Sequence, residues 1–243
     1  GTPVDGTIEV FGGVVDAYTM TEAVKDGITV NLVYDGRAAK VMLNQDKVRQ
    51  IEEYYAQCEL EGANEHQVEE SQKAVAKMEV IIGDPDRLRA VAEDFIKHYE
   101  TRVAEGATVA GKAMFVCSNR NIAYDFYKIV KELRPKWTEK KICDDGVVLS
   151  EKDKKELKPM EKIKLVMTRN KDDEKDLFDM LGTKEDRKEF DRQFKNPKSN
   201  FKIAIVVDMW LTGFDVPELD TIYIDKPIQQ HTLIQTISRV NRV

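Results

Sequence analysis

Long apolar runs are missing from this sequence of 243 residues, and no segment approaches the roughly 20 consecutive apolar residues of a membrane-spanning helix. The first residues show no signal-peptide pattern. Cysteine is scarce, and Cys58, Cys117 and Cys143 are odd in number and lack the spacing of metal ligands. We therefore expect a cytoplasmic protein with reduced thiols, no membrane association and no metal site.

An excess of positive charge is also missing, because the net charge is −6 although 34% of the residues are charged. The acidity is local: residues 44–108 hold 8 Lys/Arg and 15 Asp/Glu, a net −7, so the remainder carries +1. Since phosphate contacts need only a local basic groove, the total charge does not exclude nucleic-acid binding. It does indicate that residues 44–108 are not the surface that faces nucleic acid. The length and the 42% hydrophobic content predict a soluble chain with a real core, in one large or two small domains.

The segment 203–243 holds the most informative order of elements. The apolar run at 203–207 predicts a buried parallel strand, and a Gly-bearing loop follows it at 212–217. Residues 221–224 predict a second strand, and residues 231–240 predict a helix. Ligands of open α/β sheets bind at the carboxyl edge, where such strands deliver their loops. The helix carries three polar residues at i, i+4 and i+7, and therefore on one face: Gln235, Arg239 and Arg242.

Two guanidinium groups about one turn apart suit phosphate oxygens, because each stays protonated and presents a planar fork of donors. On the spacing Gln-x-x-x-Arg-x-x-Arg alone, a solvated basic face is the simpler explanation. The ordered set of strand, Gly-Phe-Asp-x-Pro loop, second strand and arginine helix favours a phosphate site instead.

Three segments resemble motifs V and VI of the superfamily 2 helicases and translocases. Their sequences are also similar to the motor subunit of type I restriction enzymes. The three segments are Leu211-Thr212-Gly213-Phe214-Asp215-x-Pro217, Tyr223-x-Asp225-Lys226-Pro227 and Leu233-Ile234-Gln235-x-Ile237-Ser238-Arg239-Val240-Asn241-Arg242. Ser238 stands where most other members of the superfamily carry Gly. The opening Gly1-Thr2-Pro3 resembles the end of motif III, which closes the first motor domain of these proteins.

The resemblance implies roles for the residues around ATP. Arg242 would be the arginine finger on the γ-phosphate, with Arg239 beside it on the same phosphates. Gln235 would orient one of these arginines or the phosphate itself. Gly213 would allow close approach of the backbone, and Asp215 would hold the nucleotide ribose or an arginine of the helix.

The resemblance also places contacts to the DNA backbone at the ends of predicted strands. Residues 112–117 form the strand of motif IV, and a helix follows from about 121 to 133. Polar groups between a strand end and a helix start can donate to phosphate, and Asn121 capping the helix is an equally good explanation. A further strand is predicted at 163–167. The candidate DNA contacts are Ser118, Asn119, Thr168, Arg169 and Thr212.

Two motifs of ATP hydrolysis are missing: a Gly-x-x-x-x-Gly-Lys-Ser/Thr loop and an Asp-Glu-x-His-like motif after a strand. We therefore expect that ATP and Mg²⁺ are bound mainly by a first motor domain outside this chain, and that the fragment alone is inactive. The resemblance implies an ATP-dependent DNA translocase within the restriction subunit of a type I restriction endonuclease. Its expected partners are double-stranded DNA, the first motor domain and nuclease domain of the same subunit, and the methyltransferase and specificity subunits.

The expected fold is α/β and RecA-like, of the P-loop NTPase type: a mostly parallel sheet with helices on both faces. We expect one motor domain over 1–243 with a helical insertion at 36–108. Asp84 and Pro85 predict the start of a helix with a continuous apolar stripe, off which His98 falls, so His98 should be at the surface. Thr183 predicts the start of another helix, which runs through Phe194. Residues 134–162 resemble the variable connection of the family.

Two other functions stay open from the sequence. One is the second motor domain of another superfamily 2 DNA helicase, such as a repair helicase. The other is a non-catalytic nucleic-acid-binding module that keeps the fold and has lost the use of ATP. A nuclease domain and an intact phosphate loop in the full-length gene would separate the three.

Overall fold

A four-stranded, all-parallel sheet forms the centre of the described chain, with the strands in the order β2-β3-β1-β4. The computed structural model describes residues 25–26, 33, 35–36, 81–210, 216 and 218–226. The strands are β1 (Lys112–Cys117), β2 (Ile163–Leu165), β3 (Ile203–Val206) and β4 (Leu219–Asp225). The strands predicted at 112–117, 163–167, 203–207 and 221–224 are therefore present, with β2 two residues and β3 one residue shorter than predicted.

One or more helices precede each of β1, β2 and β3 along the chain. The helices are α1 (Pro85–Ala104), α2 (Arg120–Leu133), a 3₁₀ helix (Pro135–Thr138), α3 (Glu151–Glu156), α4 (Lys175–Leu181) and α5 (Lys184–Lys195). Within the described residues, no helix is long and apolar enough to cross a membrane.

Local capping determines where the helices begin. The Asp84 carboxylate accepts from the backbone N–H of Asp86 and Arg87, with Pro85 in the first turn, as the sequence predicts. Thr183 caps α5 in a reciprocal capping box with Asp186. From the sequence, Asn121 is a candidate cap of α2. In the structure, Asn119 is the cap.

The sheet has a core on each face, because the side chains of its strands alternate. On one face, Phe115 stacks on Phe126 of α2 with ring centres 4.0 Å apart, and Phe95 of α1 meets Phe115 edge-on at 5.1 Å. On the other face, Met114 and Val116 of β1 belong to the same buried cluster as Phe190 and Phe194 of α5. Helices thus cover both faces of a parallel sheet, which confirms the α/β RecA-like fold class.

The described part of the segment 36–108 contributes to this main core. Helix α1 buries the predicted stripe at Leu88, Ala92, Phe95, Ile96 and Tyr99. Residues 37–80 lie outside the described chain, so the helical insertion at 36–108 stays a prediction. His98 corrects an expectation: it is half-buried, because α1 lies over β4 and places its Nδ1 2.9 Å from the Tyr223 hydroxyl.

Residues 134–162 contain the 3₁₀ helix and α3, and part of this segment packs on the core. Trp137 of the 3₁₀ helix is buried with its ring 5.5 Å from that of Tyr99. This packing fixes the chain between α2 and β2 against the same core as α1.

Lys112 is an unusual member of the core, since it is fully buried at the start of β1. Its Nζ donates to the carbonyl of Phe201 and lies 5.2 Å from the centre of the Phe194 ring. Burial, reinforced by the neighbouring charge of Lys202, lowers the pKa of Lys112 to about 6. The native chain therefore holds this amine mostly neutral at neutral pH.

Lys112→Met should flatten the dependence of stability on pH. An unfolded lysine has a pKa of about 10.4, so between pH 7 and 9 the unfolded chain holds a proton that the native chain lacks. The free energy of unfolding should rise with pH in that window, by about 1.4 kcal/mol per pH unit from this group alone, and Lys112→Met should remove that slope. Urea denaturation at pH 7, 8 and 9 measures it, with Lys188→Met, an exposed position on α5, as the control. An unchanged slope in Lys112→Met would show that Lys112 is charged in the native state.

Candidate functional site

The carboxyl edge of the sheet gathers the polar residues that follow the strands. Because all four strands are parallel, their carboxyl ends meet at one edge. Ser118 and Asn119 follow β1, Thr168 and Arg169 come shortly after β2, and Lys226 follows β4. Four of the five predicted DNA-contacting residues therefore lie on loops at this edge.

Ser118 and Asn119 both have structural partners. The Ser118 hydroxyl donates to the carbonyl of Asp225 at 3.0 Å, which joins the ends of β1 and β4. The Asn119 side-chain oxygen accepts from the backbone N–H of Ile122 at 2.9 Å, which caps α2. These two side chains thus shape the edge as well as lying on it.

Arg120 ties the loop after β2 to the start of α2. Its Nη1 donates to the carbonyl of Thr168 at 2.6 Å, and its Nη2 donates to both carboxylate oxygens of Asp173 at 2.6 and 2.7 Å. Asp173 also accepts from the backbone N–H of Asn170 at 2.7 Å. Burial opposes ionisation, yet the hydrogen bonds from Asn170 and Arg120 hold the pKa of Asp173 below its ordinary value.

The Arg120–Asp173 pair could not be predicted from the sequence. Arg120 stands in the triplet Ser-Asn-Arg after β1, but Asp173 lies 53 residues away on an irregular loop. Only the parallel pairing of the strands brings the two loops together.

Arg169 packs against α4. Its guanidinium carbon lies 4.3 Å from the centre of the Phe178 ring, in a cation–π arrangement. Its Nε is buried, and no group in the described part of the chain hydrogen-bonds to it. The contact with Phe178 thus positions Arg169 on the loop after β2.

The predicted ATP-binding residues lie outside the described part of the chain, as does one predicted DNA contact: Gly213, Asp215, Gln235, Arg239, Arg242 and Thr212. The structure describes the strand ends that border them. Lys226, after β4, donates from Nζ to the Asp208 carboxylate at 2.9 Å and to the Val207 carbonyl at 3.3 Å, just after β3. No group of three or more His, Cys, Asp or Glu side chains that could hold a metal ion occurs among the described residues.

Arg120→Ala and Asp173→Ala should each lower the free energy of unfolding by about 2 kcal/mol, because each leaves a largely buried charged partner without its hydrogen bonds. A double-mutant cycle should show that the two effects are coupled. The contribution of Asp173 requires its carboxylate, so it should be fully present above the unfolded pKa of about 3.9 and should be lost as the pH falls from there through the lowered pKa of the native state. Urea denaturation at pH 7 measures the coupling, and a series of falling pH below about 4 measures the loss.

Lys128→Ala is the matched control on the same helix, since Lys128 pairs with Asp125 in an exposed ion pair. It should cost less than about 1 kcal/mol. Additive effects of Arg120→Ala and Asp173→Ala would show that the observed geometry contributes no coupling.

Comparison with known proteins identifies relatives of both parts of the chain. Residues 109–243 match the family described as type I restriction enzyme subunit R domain 3, and residues 1–69 match the SWI2/SNF2 ATPase family. The type I restriction enzyme HindI endonuclease subunit of Haemophilus influenzae is 35% identical over 247 residues, covering 100% of this chain and 21% of that protein.

A putative type I restriction enzyme MjaIXP endonuclease subunit of Methanocaldococcus jannaschii is also 35% identical, over 248 residues, with 100% of this chain and 21% of that protein covered. The SauCOLORF180P endonuclease subunit of Staphylococcus aureus is 49% identical over 59 residues, which are 22% of this chain and 6% of that protein. The chain therefore spans about a fifth of the length of the relatives that match it throughout. With more than half of its length matched by the family and a parallel sheet of RecA-like type, this chain belongs to the type I restriction enzyme R subunits, as a helicase-like domain.

Proposed function

We propose that this chain is the second motor domain of an ATP-dependent DNA translocase, within the R subunit of a type I restriction endonuclease. The observation that carries the proposal is the carboxyl edge of the parallel sheet. This edge collects the ends of β1, β2 and β4, and β4 leads directly into the segment with Gln235, Arg239 and Arg242. Membership of the R-subunit family supports it.

The proposed work on ATP belongs to the arginine helix. Arg242 contacts the γ-phosphate as a finger, Arg239 contacts the same phosphates, and Gln235 orients them. Asp215 holds the ribose or an arginine, and Gly213 lets the backbone approach closely. A guanidinium suits this work because it carries its charge at any physiological pH and offers paired donors.

ATP and Mg²⁺ are held mainly by the first motor domain in this proposal. The described residues offer no cluster of three metal-ligating side chains, and the sequence contains no phosphate loop. This domain would close over nucleotide bound elsewhere, and alone it would not hydrolyse ATP. When bound, Mg²⁺ neutralises charge on the phosphates.

The proposed grip on DNA uses the same edge of the sheet. Thr168 is exposed, and Arg120 holds its backbone in place through the carbonyl, so its side chain is available to a phosphate. Ser118 and Asn119 lie at the start of α2, where the helix dipole favours an anion. Because their side chains bond within the fold, we propose that they meet phosphate through the backbone. Arg169 and Thr212 complete the proposed set.

Closure and release over ATP would then move the grip along duplex DNA. Cleavage would come from a separate nuclease domain of the same subunit, as the endonuclease names of the relatives suggest. The methyltransferase and specificity subunits are the proposed partners in the complete enzyme.

Arg242→Ala in the intact subunit should reduce ATP hydrolysis by about 10³-fold or more, because a finger arginine meets charge that develops in the transition state. The KM for ATP should change much less, since the first domain holds the ground state. Arg242→Lys should rescue little, because an ammonium lacks the planar fork. Steady-state ATPase assays with saturating DNA measure these rates.

Arg192→Ala is a suitable control, because Arg192 lies exposed on α5 and pairs only with Glu189 of its own helix among the described residues. It should leave the rate within two-fold of the parent. Hydrolysis by Arg242→Ala within a few-fold of the parent would remove Arg242 from the catalytic residues. It would favour the non-catalytic module.

A further inference from the structure

The last residue of β4 is held from the side by the first turn of α1. Arg87 donates from Nη1 to the Asp225 carboxylate at 3.1 Å, and its Nη2 pairs with the other oxygen, so the contact is bidentate. The same Nη1 donates to the Ile82 carbonyl at 2.9 Å. Arg87 and Asp225 keep only 18% and 13% of their side-chain surface exposed. Water therefore competes little for this pair.

Two further contacts hold the same place. The Asp225 carbonyl accepts from the Ser118 hydroxyl, at the end of β1. Lys226 reaches the Asp208 carboxylate, just after β3. Three elements of the fold thus hold two consecutive residues at the end of β4.

Helix α1 follows β4 along its whole length, in the opposite direction. Near the middle, His98 lies 2.9 Å from the Tyr223 hydroxyl, and at the far end Arg102 lies 3.8 Å from the Asp220 carboxylate. The Phe95 ring meets Tyr223 edge-on with centres 4.8 Å apart. The Arg87–Asp225 pair therefore anchors the carboxyl end of a strand that α1 already supports.

The chain has little freedom directly after this anchor. Pro227 follows Lys226, and proline fixes its own φ and restricts the residue before it. Lys226, which Pro227 restricts, is thus left with few backbone conformations. Gln235, the first of the three residues that the proposed function assigns to ATP, follows eight residues after Pro227 in the sequence.

We infer that Arg87 and Asp225 are positioning residues for the arginine helix: their ion pair sets the direction in which the chain leaves β4 toward Arg239 and Arg242. This inference rests on the proposed function, in which those arginines meet ATP. Arg87 itself touches no nucleotide in this account. It acts through the backbone, and a displacement of about 1 Å in a catalytic group can cost about 10²-fold in rate.

The test uses ATPase kinetics of the intact subunit carrying Arg87→Gln, measured well below its melting temperature. We expect kcat to fall by about 10-fold or more while the KM for ATP stays within about three-fold of the parent. Arg87→Lys keeps the charge but not the bidentate fork, so its kcat should lie between that of Arg87→Gln and that of the parent. The swap of Arg87→Asp with Asp225→Arg should recover part of the kcat that either single change loses. A pair that only stabilises the fold would change the melting temperature without this split between kcat and KM.

Arg89→Gln is the matched control, because Arg89 lies two residues along α1 in an exposed pair with Glu132. It should leave kcat unchanged.

Arg242→Ala, assayed in parallel, separates the proposed function from the positioning role of Arg87. If Arg242→Ala keeps full activity, the proposed function fails. If Arg242→Ala is inactive while Arg87→Gln keeps kcat within two-fold, only the positioning role is overturned. Should Arg87→Gln not fold, Arg87→Lys decides, and a kcat equal to the parent overturns the inference.

Discussion

Burial of β1 on both faces and both edges is the constraint on which the rest of the described structure depends. Each of its six residues is buried, with β3 paired on one side and β4 on the other. A strand buried in this way favours apolar side chains along its length, so polar and charged side chains occur mainly at its two ends. The polar groups accordingly collect at the edges of the sheet: Lys112 at the amino end and Ser118, Asn119 and Arg120 at the carboxyl end.

The two ends differ in what their polar groups do. At the amino end, Lys112 is buried against Phe201 and Phe194. Its pKa is lowered because burial disfavours the charged amine. At the carboxyl end, two half-buried arginines form bidentate pairs, Arg120 with Asp173 and Arg87 with Asp225. For Asp173, the hydrogen bonds from Asn170 and Arg120 keep the pKa below its ordinary value although burial opposes ionisation. The carboxyl edge is therefore both charged and ordered, as the proposed binding of phosphate requires.

Short-range signals in the sequence predicted most of the fold. The caps at Asp84 and Thr183, the stripe of α1 and the apolar runs of the strands all depend on neighbours within a few residues, and the structure confirms them. Helix α4 was missed because it is seven residues long and its N-cap, Glu174, makes no capping hydrogen bond through its side chain.

Long-range contacts were beyond what the sequence alone could predict. Arg87 and Asp225 are 138 residues apart, and His98 lies beside Tyr223 only because α1 crosses β4. Asn119 caps α2 instead of Asn121 because the helix begins at Arg120, one residue before the predicted start. Of the candidate site, the sequence predicted the strand ends that carry four of the proposed DNA contacts, and the ion pairs that hold those loops are visible only in the fold.

The most direct test of the account is movement of the intact subunit, assembled with its partner subunits, along duplex DNA. A triplex-forming strand bound at increasing distances from the loading site reports arrival by its displacement. With ATP, the account predicts a lag before displacement that grows in proportion to the distance, and no displacement without ATP. Displacement with no dependence on distance, or none at all while ATP is hydrolysed, would contradict the claim that this domain is part of a translocating motor.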